Sequence, residues 1–179
     1  MNYIETFYNN IVTYSLLNKF NYKKNKTIPK LKKMILTFNC KDSDLKKLAS
    51  SLLALELIST KRGRLTTAKK SNALLKIRKG NPVGCKVILQ KKLMYNFLNK
   101  LLIEIMPKMK NLKDFVIETN EKEQNTFSYT LKNNIIFFEF ESNYYLFNNL
   151  PYLQITFITN AKTKNELLFL TNSIKLNTN

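Results

Sequence analysis

The stretch that decides the fold is TTAKKSNALLKIRKGNPVGCKVILQKKLMYNFLNKLL, residues 66–102. Apolar and polar residues alternate in it twice, over 75–78 and over 85–90, with glycine, asparagine and proline between the two runs. Alternation with a period of two predicts two strands that share a basic face around a turn. From residue 94 the apolar residues recur at helical spacing until Pro107, which predicts a core helix ended by that proline.

The same two periodicities divide the rest of the chain. They predict helices from a cap at Asn2 to about Asn18, from a cap at Asp42 or Ser43 through Leu53, and from a capping box of Thr163 and Glu166 through Leu170. They predict strands at Leu31–Phe38, Phe127–Leu131, Ile135–Phe140 and Leu153–Thr159. On the first two helices the residues predicted to face the core are Ile4, Phe7, Tyr8, Ile11, Val12, Leu45, Leu48, Ala49, Leu52 and Leu53.

Strands and helices are therefore mixed, and the predicted class is α+β. We expect a mixed, mainly antiparallel sheet packed by helices, with a long basic loop between strands. A length of 179 residues with 44% hydrophobic content fits one domain with a substantial core. We expect this domain, 1–179, to consist of an RNA-binding half, 1–106, and a neutral α+β half, 107–179.

Charge is concentrated in one part of the chain. The formal net charge is +18, from 30 basic and 12 acidic residues. Residues 57–103, the basic window, contain no acid, whereas residues 1–56 carry about +6 and residues 104–179 about 0. The twelve bases of the window are Lys61, Arg62, Arg64, Lys69, Lys70, Lys76, Arg78, Lys79, Lys86, Lys91, Lys92 and Lys100. A solvated lysine surface normally mixes in acids, so the basic window favours a nucleic-acid partner over a bland surface.

The residues that most enzymes need are missing. Histidine is absent, which removes the usual general base near neutral pH and the commonest metal ligand. Cys40 and Cys85 stand alone, so they favour neither a disulfide framework nor a zinc site. Glu139 and Glu141 would share one side of a strand, where they are typical of a solvated edge. We therefore predict no enzymatic activity, no metal, no cofactor and no small-molecule substrate.

The basic window also predicts how the nucleic acid is bound. It holds all three arginines of the chain, whose rigid guanidinium groups suit phosphate, but it has no aromatic residue from Lys61 through Met94. Stacking on splayed bases is therefore not available within that stretch. We expect contacts to phosphates and sugars that respond to shape more than to sequence.

The block at 66–102 resembles the universal family of large-subunit ribosomal protein five, the 5S rRNA-binding protein of the central protuberance. Three further segments resemble the family more weakly and occur in the same order as in the family: LLNKFNYKKNKTIPKLKKMIL, MPKMKNLKDF and ITFITNAKTKNELLFL. The resemblance implies a sheet packed by helices on one side and a long loop that reaches the peptidyl-site tRNA. Here Leu74 and Leu75 stand where the family usually has Gly-Phe, and Thr37, Lys61 and Ile88 occupy family positions that face 5S rRNA.

The residues assigned to RNA combine this resemblance with the charge pattern. The rRNA-binding candidates are Lys30, Lys32, Lys33, Thr37, Lys61, Arg62, Arg64, Thr66, Lys69, Lys86, Lys91 and Lys92. The tRNA-contact candidates are Lys70, Ser71, Asn72, Ala73, Leu74, Leu75, Lys76 and Arg78. The implied partners are 5S rRNA and large-subunit rRNA, peptidyl-site tRNA, neighbouring proteins of the central protuberance and the small-subunit head.

Two other interpretations and the cellular location complete the expectations. An RNA-binding or RNA-modifying protein outside the ribosome is the alternative function; a peripheral membrane protein is disfavoured because the pattern of the basic window is not that of an amphipathic helix. No apolar run approaches the roughly 18 residues that span a bilayer. The glycine-poor, asparagine- and lysine-rich composition indicates an AT-biased organelle gene, so we expect a mitochondrial protein without an import signal, ahead of a plastid or bacterial one.

Overall fold

The computed structural model describes residues 3–22, 24–40, 44–109, 116–119 and 125–174, with backbone alone for 116–119. Helix α1 is continuous through Tyr3–Phe7, a π-helical turn Tyr8–Val12 and Thr13–Lys19. Helix α2 is Leu45–Ser59, and helix α3 runs through Lys91–Lys100, a π-helical turn Leu101–Ile105 and Met106–Lys108. Two short helices, α4 (Phe138–Glu141) and α5 (Tyr144–Phe147), precede the last helix, α6 (Lys164–Ser173).

Six strands form one sheet within these ranges. They are β1 (Leu31–Asn39), β2 (Arg64–Thr67), β3 (Pro82–Leu89), β4 (Val116–Thr119), β5 (Thr126–Leu131) and β6 (Leu153–Thr159). Their order is β2-β3-β1-β6-β5-β4, and all five pairings are antiparallel. Because β1 lies between β3 and β6, the N-terminal and C-terminal halves share the sheet.

Side-chain alternation fixes which face of the sheet meets the core. Met34, Leu36 and Phe38 of β1 are fully buried, whereas the residues between them remain partly accessible. Phe127 and Phe157 stack face to face across neighbouring strands, with ring centroids 4.6 Å apart. Each such side chain contributes about 1.5–3 kcal/mol by leaving water, so a one-residue slip of β1 would be strongly unfavourable.

The structure confirms the α+β class and most long elements. The first strand, the first and third helices and the capping box of the last helix lie where the sequence predicts them. In that box the Thr163 hydroxyl accepts a hydrogen bond from the Glu166 N–H, and the Glu166 carboxylate accepts one from the Thr163 N–H. Pro107 falls in the last turn of α3, which ends one residue later at Lys108.

Two predicted strands are wrong. The alternation at 75–78 belongs to a tight hairpin closed by a single bridge between Asn72 and Ile77, and the strand that pairs with β3 on the side away from β1 is β2. The run at 135–140 forms a turn followed by α4, so Glu139 and Glu141 lie on a helix. Both runs are short and apolar, and such runs do not distinguish a strand from a buried turn or a short helix.

The start and the buried face of α2 also differ from the prediction. Asp44 is the N-cap, its carboxylate accepting a hydrogen bond from the Lys46 N–H at 3.0 Å; the predicted caps Asp42 and Ser43 lie outside the described residues. The buried face of α2 consists of Leu48, Ser51, Ala54, Leu55, Ile58 and Ser59. Four predicted core residues of α1 and α2 are instead exposed: Ile11, Leu45, Ala49 and Leu53. In the described ranges, no helix has both the length and the apolarity needed to cross a membrane.

Candidate nucleic-acid interface

The face of the sheet turned away from the core, which we call the open face, carries a polar row across three strands. Arg64 of β2 is paired with Lys86 of β3, and Lys86 is paired in turn with Thr37 of β1. Arg64 and Lys86 are exposed and Thr37 is half-buried. Directly opposed like charges repel, so the pair of cations stabilises the fold less than a neutral pair would and favours an anion between them. Thr66 lies on the same face, two residues after Arg64.

A second group of cations lines one end of the sheet. The strands β2 and β1 begin at this end and β3 finishes there, because Met34 is paired with Leu89 and Arg64 with Lys86. The end therefore gathers the exposed or half-buried cations that precede β2, begin β1 and follow β3. This basic rim consists of Lys30, Lys32, Lys33, Lys61, Arg62, Lys91 and Lys92.

Local hydrogen bonds fix the part of the rim that follows α2. The Glu56 carboxylate, the last acid before the basic window, accepts a hydrogen bond from the Gly63 N–H at 2.9 Å. The Lys61 ammonium donates to the Ile88 carbonyl at 2.6 Å. The first bond holds Gly63 against α2, and the second holds Lys61 against the end of β3.

The basic loop, residues 70–78, lies at the opposite end of the sheet. Asn72 and Ile77 exchange two backbone hydrogen bonds of 2.8 and 3.0 Å, and the Asn72 side chain accepts a third from the Leu74 N–H at 3.0 Å. Lys76 has a left-handed backbone with φ of 52°, and Ile77 is buried. The loop is therefore an ordered hairpin that is anchored by one apolar side chain.

The other side chains of the basic loop point to solvent. Leu74 at the tip is 94% exposed and Leu75 is 47% exposed, and Lys70, Lys76 and Arg78 are exposed around them. An apolar tip flanked by cations can place its leucines against a sugar or base while the cations contact phosphates. Strand β3, which joins the loop to the rim, has eight residues. At about 3.3 Å per residue, the two groups of cations are thus roughly 25 Å apart.

Lys100 is the member of the basic window with a different role. Its ammonium forms an ion pair with the Glu139 carboxylate, and only 17% of its side chain is accessible. Burial lowers the pKa of Lys100, while the nearby Glu104 carboxylate opposes that shift. This ion pair joins α3 to α4, so Lys100 stabilises the fold and does not contribute to the exposed positive surface.

The predicted RNA-binding residues are thus divided among three places. The rim and the open face hold the rRNA candidates, except Lys69, which is exposed at the base of the loop. The loop holds all eight tRNA candidates. Lys79, just after the loop, belongs to the basic window but not to either set of candidates, and it is exposed as well.

The chemistry available at these surfaces is binding. Among the described residues, no group of three or more histidine, cysteine, aspartate or glutamate side chains is placed to hold a metal ion. Cys40 and Cys85 are buried, and burial raises the pKa of the Cys85 thiol to about 11, which disfavours the nucleophilic thiolate. Fold and surface together define a class: α+β proteins that present ordered cations to a phosphate backbone.

Comparison with known proteins identifies the family within that class. Residues 82–177 match the family model for the C-terminus of ribosomal L5 proteins. The large ribosomal subunit protein uL5m of Reclinomonas americana is 37% identical over 168 residues, covering 93% of this chain and 92% of the relative. The large ribosomal subunit protein uL5 of Wigglesworthia glossinidia brevipalpis is 37% identical over 166 residues, covering 92% of each chain.

The chain belongs to the ribosomal L5 family. This confirms the family resemblance and the prediction of a ribosomal protein that is not an enzyme. The two relatives span nearly all of the chain, so the similarity includes the basic window and both ends of the sheet.

Proposed function

We propose that the protein is a structural constituent of the large ribosomal subunit, where it binds 5S rRNA in the central protuberance and contacts peptidyl-site tRNA. The observation that carries the proposal is that the cations of the acid-free window divide between the rim and open face and the ordered loop at the opposite end of the sheet. Lys30, Lys32 and Lys33, which precede or begin β1, add to the rim from outside the window. Two separate cationic surfaces about 25 Å apart suit two RNA partners.

In this proposal the rim and the open face hold 5S rRNA and adjoining large-subunit rRNA. Arg64, Lys86 and Thr37 provide two charges and a hydroxyl in one row across the sheet. The loop extends toward peptidyl-site tRNA, with Leu74 at its tip. Neighbouring proteins of the central protuberance and the small-subunit head contact surfaces that the RNA leaves open.

The proposed location is the large subunit of a mitochondrial ribosome. The glycine-poor and lysine-rich composition supports an organelle gene, as does the likeness to a relative named uL5m. Identity to the bacterial relative is equally high, so the composition carries the choice of a mitochondrial ribosome. Co-sedimentation of the tagged protein with mitochondrial large subunits, rather than with the soluble fraction, tests this location.

Binding of purified protein to 5S rRNA over a range of KCl concentrations tests the RNA-binding role. Each phosphate contact contributes about 0.7–0.9 to the slope of the log-log plot, so binding must weaken steeply with salt. The double variant Arg64→Gln, Lys86→Gln should lower that slope by about 1.4–1.8. The control is Lys108→Gln, Lys132→Gln, which removes the same charge at two exposed sites away from the rim and the open face. This control should leave the slope unchanged. A flat salt response of the wild-type protein, or no binding to 5S rRNA at moderate salt, contradicts the proposal.

A further inference from the structure

Two lysines of the half that is neutral by sequence lie beside the basic rim. Lys162 and Lys164 follow β6, and β6 ends at the same end of the sheet where β1 begins, because Leu31 is paired with Thr159. Lys24 and Lys26 lie on the segment that leads into β1, and Lys30 directly precedes it. All five lysines are exposed, and together they form what we name the second lysine cluster.

Asn160 holds the two chain segments of this cluster together. Its side-chain oxygen accepts a hydrogen bond from the Lys30 N–H, and its side-chain nitrogen donates to the Ile28 carbonyl at 3.1 Å. Its backbone N–H donates to the Lys30 carbonyl at 3.2 Å. Residues 130 positions apart are thereby fixed next to each other, which a count of charges along the sequence does not detect.

Aromatic packing secures the same corner from the other side. Phe20 packs edge-on against Phe169 of α6 with ring centroids 5.8 Å apart, and the Lys19 ammonium lies 4.4 Å from the Phe169 ring. Burial, reinforced by the nearby Glu166 carboxylate, raises the pKa of Tyr22 to about 12. The segment that carries Lys24 and Lys26 is therefore attached to the start of α6, where Lys162 and Lys164 lie.

The Glu166 carboxylate, which lies beside this cluster, is engaged in hydrogen bonds with backbone N–H groups at the start of α6. Its Oε2 accepts hydrogen bonds from the N–H groups of Lys162 at 2.9 Å and Thr163 at 3.3 Å. No described carboxylate forms an ion pair with a lysine of the cluster. The five ammonium groups are thus available to an external anion, and their arrangement is fixed by backbone contacts.

We infer that the second lysine cluster is an RNA phosphate-binding site, in which Lys162 and Lys164 extend the basic rim across the end of β6. The ligand class is the sugar–phosphate backbone of structured rRNA, which presents regularly spaced anions to a row of cations. This inference rests on the proposed ribosomal function and assigns part of the rRNA contact to the C-terminal half.

The test measures binding of the full chain to total rRNA extracted from large ribosomal subunits, as a function of KCl concentration. The variant is Lys162→Gln, Lys164→Gln, and the matched control is again Lys108→Gln, Lys132→Gln. Both pairs come from the neutral half and remove two exposed charges, but Lys132 follows β5 at the opposite end of the sheet and Lys108 ends α3. We expect the variant to lower the log-log slope by about 1.4–1.8 and the control to leave it unchanged.

Each other outcome has a distinct meaning. An unchanged slope in the variant, or an equal fall in variant and control, overturns the inference while leaving the proposed function intact. Wild-type protein that binds this rRNA without salt dependence overturns both. A parallel measurement on phosphatidylcholine vesicles with cardiolipin separates the other polyanion: loss of vesicle binding with an unchanged rRNA slope would assign the two lysines to lipid and overturn the inference.

Discussion

Gly84 of β3 lies where its neighbours on β1 and β2 leave no room for a side chain. It lies between Asn39 of β1 and Thr66 of β2, on the face that carries the row of cations. A Cβ atom added there would be 2.4 Å from the Phe38 carbonyl oxygen and 3.1 Å from the Thr66 hydroxyl. The absence of a side chain therefore lets β1 and β2 approach β3 and sets the spacing of the row of cations on this face.

Gly84→Ala should destabilise the protein by about 2–3 kcal/mol, because the backbone oxygen that blocks the new methyl group cannot move without disturbing the sheet. Urea unfolding measures the change. Gly63→Ala is the control: its Cβ would meet Leu52 Cδ1 at 2.5 Å, but that atom ends a flexible side chain that can rotate away. Equal losses in both variants would show that the close strand approach is not the cause.

Cys85 gives the stability a predictable dependence on pH. Its thiol is buried and donates to the Ser51 hydroxyl at 3.3 Å; burial raises its pKa from 9.0 to about 11, and the Ser51 hydrogen bond partly opposes that shift. A pKa that is raised in the folded state contributes stability that is complete below pH 9 and is lost as the pH rises through about 11.

We therefore expect the free energy of unfolding to fall between pH 9 and pH 11 by about 2 kcal/mol on account of this thiol. Urea titrations at several pH values should show a smaller fall for Cys85→Ala, which has no thiol to ionise. Buried tyrosines such as Tyr8, whose pKa burial raises to about 12, contribute a remaining loss at higher pH in both proteins. An identical fall between pH 9 and pH 11 in wild type and variant contradicts the assignment to Cys85.

At the scale of single elements, the basic loop shows what the sequence can and cannot predict. The alternation of Leu75 and Ile77 with Lys76 and Arg78 has the period of a strand, but the hydrogen bond from the Leu74 N–H to the Asn72 side chain starts a turn instead. Only Ile77 of the two apolar residues is buried. Periodicity predicts which way a side chain points, but it does not predict whether a neighbouring strand is present to pair with the segment.

The ordered hairpin predicts a division of labour between loop and rim. Lys70→Ala, Arg78→Ala should weaken peptidyl-site tRNA binding by roughly tenfold or more, since a hydrogen bond to a charged group contributes about 1.5–3 kcal/mol, while large subunits still assemble. The rim variant Lys30→Ala, Lys32→Ala should instead impair 5S rRNA incorporation into the subunit and leave binding of peptidyl-site tRNA unchanged. Sedimentation profiles report assembly, and filter binding of tRNA to purified ribosomes reports the loop. Equal loss of assembly in both variants would argue against separate roles.

The helices were predictable where a local cap or a long row of apolar residues at helical spacing marked them. The capping box of Thr163 and Glu166 is local chemistry, and the stripe of α3 continues for several turns. The short run at 135–140 lacks both signals, and its structure depends on a distant partner: Glu139 of α4 pairs with Lys100 of α3. A contact between residues 39 positions apart cannot be read from either segment alone.

Across the whole molecule, charge along the sequence and charge in space agree only in part. The basic window contains most cations of the rim, the open face and the loop, but it also includes Lys100, which pairs with Glu139. It omits the rim lysines around the start of β1 and the lysines that Asn160 holds beside the rim. The strand order explains the difference. Since β1 lies between β3 and β6, the end of the sheet collects residues from both halves of the chain.

This topology predicts that the half rich in cations does not function by itself. A fragment of residues 1–106 retains β1, β2 and β3 but loses β6, which pairs with β1 from Leu31 to Phe38. The fragment would expose one edge of β1 and the apolar side chains that face Ile155 and Phe157. We expect circular dichroism and urea titration to show no cooperative unfolding of the fragment, and we expect the full chain to unfold in one transition.

The fragment should also bind 5S rRNA with a smaller salt slope, because its cations are no longer held in register. Cooperative unfolding of the fragment together with a slope equal to that of the full chain would mean that the N-terminal half is an independent RNA-binding unit.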